Sequence, residues 1–194
     1  MRRNTVSFVV SMVLVVGLAL AAGAGGFHFK SFSFAAGSLT FNGVGVGLGN
    51  TDYVATLDAT ATVRAMCVNK GGNAAPGRND LQASVPGPQD QIINTQDNGQ
   101  TEVSLTVEDP SIVHLDEPPS TKKDCPNGKW TITDVFVVEW TSAHLSIAEL
   151  GTGEVLFDQQ YACSGGGAAL DGDGLPISDG MGGYLVNPIS CVEA

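Results

Sequence analysis

Four cysteines, three histidines and a short run of aspartates are the residues with which this chain could do chemistry. Cys67, Cys125, Cys163 and Cys191 lie far apart, without the close pairs of a zinc site. In an oxidising compartment an even count reads as two disulfides, and four cysteines permit three connectivities. Asp171-Gly172-Asp173-Gly174 with Asp179 invites a calcium reading, because closely spaced carboxylates on a glycine backbone can supply several hard oxygen ligands. The EF-hand pattern does not fit: with Asp171 and Asp173 at its first and third positions, Leu175 and Pro176 occupy the fifth and sixth, and Gly182 stands where the closing glutamate belongs. A solvated acidic loop is the preferred reading, and no cofactor is required. His28, His114 and His144 are scattered, and none sits in a metal or nucleophile motif. The expectation is a protein that is not an enzyme.

The compartment comes from the first residues. Arg2 and Arg3 precede an apolar run from Val6 to Ala22, followed by the small residues Gly23 and Ala24. This is the pattern of a secretory signal peptide over residues 1–24, with Sec-type export and a mature chain starting near Gly25. After cleavage no stable membrane insertion is expected, and disulfides are chemically permitted in the extracellular or cell-surface setting. Removing Arg2 and Arg3 from the nine basic residues leaves seven against twenty acidic ones, a formal charge of −13. That balance excludes nucleic acid as a partner, since phosphate neutralisation needs clustered Lys and Arg.

Period-two alternation supplies the elements that must position these groups. From Tyr53 to Cys67 the apolar residues occupy one parity, with Thr56, Asp58, Thr60, Thr62 and Arg64 on the other. This predicts a half-buried antiparallel strand with Cys67 on its core face. Leu81 to Val85 and Val103 to Val107 alternate likewise, and Asp97-Asn98-Gly99 predicts a hairpin pairing residues 92–95 with 102–107. Trp130 to Val138 and Ala143 to Ile147 read as two further strands, His144 facing outward. The latter forms a hairpin across Gly151-Thr152-Gly153 with the strand ending at Cys163. Capped helical periods are absent, so the expected fold is all-β: an antiparallel sandwich of about eight or nine strands, immunoglobulin-like in connection, over residues 25–163. Residues 164–194 form a Gly-rich C-terminal extension.

These elements favour one connectivity without deciding it. Cys125 lies in the long polar stretch from Asp109 to Gly128, which a bridge to Cys67 would tie down. A Cys163–Cys191 bridge would close the extension. On the loop-entropy model the two would stabilise by about 4 and about 3.5 kcal/mol.

Cys67 is followed by an Asn/Gly/Pro segment, residues 69–79. Together with Gly47-Leu48-Gly49-Asn50 and with Cys125-Pro126-Asn127 ahead of Trp130, it resembles a group of bacterial secreted β-sandwich proteins of uncharacterised function. The likeness covers roughly residues 37–162. It implies the sandwich and the Cys67–Cys125 bridge, and brings no activity with it.

Two surfaces remain. Asn69, Asn73, Arg78 and Asn79 could form a binding loop, although turn chemistry explains the same composition and is preferred. Phe27, Phe29, Phe32 and Phe34 crowd the mature N-terminus, either as an edge strand packed on its own core or as an arm for self-association by strand addition. The expected function is a non-catalytic structural or surface-associated protein with cell-surface or matrix partners. A soluble binding module for glycan or calcium is the alternative, supported if Trp130 and Trp140 form an exposed platform. A secreted hydrolase ranks last.

Overall fold

The alternation from Tyr53 to Cys67 becomes one long strand, and the rest of the molecule is arranged about it. The computed structural model describes residues 26–49, 51–87, 91–93, 100–181 and 183–194. The leader at 1–24 and the Asp97-Asn98-Gly99 turn lie outside the described residues. In chain order the elements are β1 (His28–Ala35), β2 (Leu39–Val46), β3 (Tyr53–Val68), β4 (Ala74–Val85), β5 (Gln91–Ile93), β6 (Gln100–Val107), α1 (Thr121–Asp124), β7 (Thr131–Glu149), β8 (Val155–Gly165) and β9 (Ile189–Glu193). A three-stranded sheet ordered β1-β2-β6 packs on a six-stranded sheet ordered β4-β3-β7-β8-β9, with β5 also on β3. All pairings are antiparallel, so the fold is the expected β-sandwich.

Burial sets the faces. Along β3 every second residue from Tyr53 to Cys67 is buried and the intervening ones are half-exposed. Leu39 and Phe41 of β2, with Val103, Leu105 and Val107 of β6, meet that row from the smaller sheet. Each such side chain contributes roughly 1.5–3 kcal/mol when fully buried. A one-residue slip of β3 would turn the whole row to water, so the register is strongly specified.

Three expectations need correction. The two stretches expected as separate strands belong to the single strand β7 (Thr131–Glu149), which pairs with β3 throughout while shifting register three times. These bulges leave Thr133, Val138 and Thr141 without opposite partners and reverse the parity each time. Second, β5 pairs with Tyr53 to Ala55 of β3, not with β6. β4 leaves that edge of β3 at Ala59, where Pro86 interrupts it, and β5 takes up the vacant stretch; β6 instead aligns its apolar residues with those of β2. Third, short helical turns do occur, at Ile112–His114 and in α1.

Strand β2 had no sequence signature because glycine occupies two of its core-side places. A Cβ on Gly43 would stand 2.7 Å from the Phe29 ring, and one on Gly45 2.4 Å from the Phe27 ring. The glycines thus make room for Phe29 of β1 and for Phe27 just ahead of it. Phe27, Phe29, Phe32 and Phe34 pack against this chain's own core, in edge-on and stacked contacts with Phe41, Phe157 and Tyr161.

Both disulfides pair as expected, Cys67 with Cys125 and Cys163 with Cys191. The first is fully buried in a satellite cluster with Ala65, Trp130 and Ile132. The second links directly opposed residues of β8 and β9 and is half-buried. Neither crosses between the sheets, unlike the bridge of an antibody domain. The Gly-rich extension contributes β9 to the larger sheet and, between 166 and 188, a compact lobe. In this lobe Ala168 bridges Val186, Leu170 bridges Pro176 and Ser178 bridges Tyr184, so each of three short arms pairs with both others. The lobe is seated by the Ala168 N–H donating to the Val137 carbonyl at 2.8 Å. A Cβ on Gly167 would lie 1.9 Å from the Val138 carbonyl oxygen, so only glycine permits this approach.

Candidate functional site

The outward face of the larger sheet carries polar side chains at regular spacing. Register places Thr56, Ser146 and Asp158 in one row across β3, β7 and β8; Asp58, His144 and Gln160 in the next; and Ser84, Thr60 and Ser142 in a third that begins on β4. Neighbouring strands are about 4.8 Å apart and alternate residues along a strand about 6.7 Å, so the grid is fixed by the backbone. Thr56 and Ser146 hydroxyls bond at 2.6 Å, and Thr60 bonds Ser142 at 2.7 Å and Thr141 at 2.9 Å. His144 Nε2 is 2.8 Å from Asp158 Oδ1, with the imidazole about one-third exposed.

A recess of about 380 Å³ opens over this grid, lined by Asp58, Thr60, Ser84, Pro86, His144 and Gln160 among others. Asp58 is held at its edge by Gly87, whose backbone N–H donates to Asp58 Oδ1 at 3.0 Å. Asp58 Oδ2 and the Gln160 side-chain amide take part in no hydrogen bond with another described residue. Ser142, His144 and Asp158 are the residue types of a hydrolase triad, but their geometry differs from one. Ser142 bonds to Thr60, and among the described residues no hydrogen bond joins it to His144, so the base does not reach the hydroxyl. The exposed groups of this face are hydrogen-bonding groups that a polar ligand could use.

The residues singled out in sequence serve the fold. Asp171 Oδ1 accepts the backbone N–H groups of Asp173 and Leu175, both at 2.9 Å. Asp179 Oδ1 accepts those of Met181 at 2.7 Å and Gly183 at 3.0 Å. Asn69 Oδ1 does the same for Gly71 at 2.8 Å and Asn73 at 3.1 Å. All three are Asx-type turns, in which the side chain takes N–H groups that would otherwise be unpaired. The Asp-Gly-x-Gly repeat at 171 and 179 is the sequence signal for two of them. Asp171 and Asp173 share one turn and Asp179 heads the next. No group of three metal-ligating residues converges among the described residues.

Arg78 and Asn79 are latches. Arg78 donates to the Pro126 carbonyl, and Asn79 Nδ2 donates to the Lys123 carbonyl and to Asp124 Oδ1, each at 3.0 Å. Asp124 is buried and also accepts the Ser120 N–H at 2.6 Å, closing α1 beside Cys125. Asn73 is exposed at its turn. Trp140 is fully buried, its indole N–H donating to the Gly37 carbonyl at 3.2 Å, and Trp130 is half-buried beside the Cys67–Cys125 bridge, so the two make no exposed platform.

A second recess, of about 250 Å³, lies where the lobe meets the body, with Asp109, Asp179 and Tyr184 among its lining residues. Desolvation holds the Asp109 carboxyl above the usual carboxylate range. No helix among the described residues is long and apolar enough to cross a membrane. No family model matches the chain, and neither a curated protein nor a solved structure does.

Proposed function

We propose that this chain is a non-catalytic protein of the cell surface or extracellular matrix, exported through a Sec-type leader. The observation that carries the reading is where the two disulfides lie. Each ties down one of two long segments that, among the described residues, lie outside the named strands, residues 108–130 and 166–188. Covalent staples at such places suit a non-reducing compartment, where disulfides form and persist. The engagement of Ser142 by Thr60, rather than by His144, supports a binding face over a reaction centre.

Fractionation of the producing culture tests this, followed by size exclusion of the native protein with and without reductant and chelator. The expected result is a cell-associated form that survives washing. Recovery as a free monomer in the medium overturns the surface-associated reading.

A further inference from the structure

We propose that the recess beside His144 binds a neutral hexopyranose unit of a glycan. The argument begins with what the rim offers. Asp58 is an acceptor only, the Gln160 amide both donates and accepts, and the ring of His144 is held by Asp158. A sugar hydroxyl is at once donor and acceptor, so it pairs with either kind of group. The carboxylates of Asp58 and Asp158 oppose phosphate or sulfate by like charge. A divalent cation would need several converging ligands, and no such group occurs among the described residues.

Shape supports the same ligand. Pro86 gives the recess an apolar side, which suits the C–H face of a pyranose ring, while the polar rows meet its hydroxyl edge. The volume of about 380 Å³ is near the lower end for small-molecule sites, the size of one or two sugar units. The groups are pre-organised: the sheet fixes their spacing, Gly87 fixes Asp58, and Asp158 fixes His144. Pre-organisation lowers the entropic cost of binding, although without an aromatic platform the affinity falls in the millimolar range. The proposal gives the surface-associated reading its partner and rests on it for its biological setting, while the binding itself is measured on purified protein.

The experiment is an amide-shift titration of the purified full chain with the methyl glycosides of glucose, galactose, mannose and N-acetylglucosamine. Saturable shifts centred on Asp58, Thr60, His144 and Gln160 are expected with at least one of them. Asp58→Asn and Gln160→Ala should each weaken that binding about tenfold, whereas Ser104→Ala on the other sheet should leave it unchanged. Both altered side chains line the open recess, so folding is retained and a matching amide spectrum verifies it. Absence of saturable shifts with all four glycosides overturns the proposal, as do shifts that map elsewhere or survive both substitutions. Sugar binding by a protein found free in the medium retains this site and overturns the surface-associated reading; cell association without sugar binding does the reverse.

Discussion

Gly87 lies so close to Leu57 that a Cβ added to it would stand 1.6 Å from the Leu57 carbonyl oxygen. Backbone, unlike the end of a side chain, cannot swing aside. Gly87→Ala should therefore destabilise the protein by about 3 kcal/mol, at the upper end of overpacking effects. It should also move Pro86 and release the hydrogen bond to Asp58. A urea unfolding curve gives the first result and the Asp58 amide shift the second; an unchanged midpoint would mean that this contact is looser than described.

The two disulfides should differ in accessibility more than in energy. Their separations of 58 and 28 residues give losses of about 4 and about 3.5 kcal/mol on removal, by loop entropy. Cys67 and Cys125 are fully buried, whereas Cys163 and Cys191 are partly exposed. Brief treatment of native protein with a thiol reductant, followed by alkylation and mass spectrometry, should label Cys163 and Cys191 first. Equal labelling of all four would contradict this order.

Tyr161 carries the one buried side-chain polar atom without a partner among the described residues, its phenolic oxygen. Burial, and then the charge of Glu193, raise its pKa well above the usual tyrosine value. The folded state thus holds this proton more tightly than the unfolded state. The associated stability is fully present below the unfolded pKa near 10 and is lost as pH rises beyond it. Tyr161→Phe should be neutral or stabilising by about 1 kcal/mol at neutral pH and should reduce the alkaline loss. Denaturation at neutral pH and near pH 11 checks both parts.

Asp171→Ala and Asp179→Ala each remove an acceptor shared by two backbone N–H groups. A cost of about 1–2 kcal/mol is expected, confined to the lobe. Faster hydrogen exchange at the freed amides is the readout. Calcium chloride and chelator should leave the melting temperature of the unmodified protein unchanged; a calcium-dependent rise would restore the cation reading of these aspartates.

Deletion of residues 27–34 should prevent folding, since it removes β1 and the four phenylalanine rings from the core. Recovery of a soluble, folded monomer with native circular dichroism would show instead that this strand is a detachable arm.

How far the sequence can be read depends on whether a strand keeps its parity. β3 was legible because one side of it is buried without interruption. The preferred disulfides were legible because long irregular stretches need a tether. β7 was legible only as two pieces, since extra residues at Thr133, Val138 and Thr141 reverse the alternation, and Val135, Phe136 and Val137 are buried in succession. β2 was hidden by Gly43 and Gly45, which show no side chain to any pattern. The recess escaped notice for a different reason: Asp58, Pro86, His144 and Gln160 are distant in sequence, and only the register of four strands brings them together.

The extension closes on itself. The Ala169 N–H donates to Leu185, the Leu185 N–H to Ile177, and the Ile177 N–H to Ala169, a cycle of three backbone hydrogen bonds. Loss of any one arm leaves a two-stranded hairpin, which has little stability of its own in water. The lobe therefore forms or dissolves as a unit, with no stable half-built state. A single protease cut within it would release all three arms together, and evolution could shorten the tail only by dispensing with the whole ring.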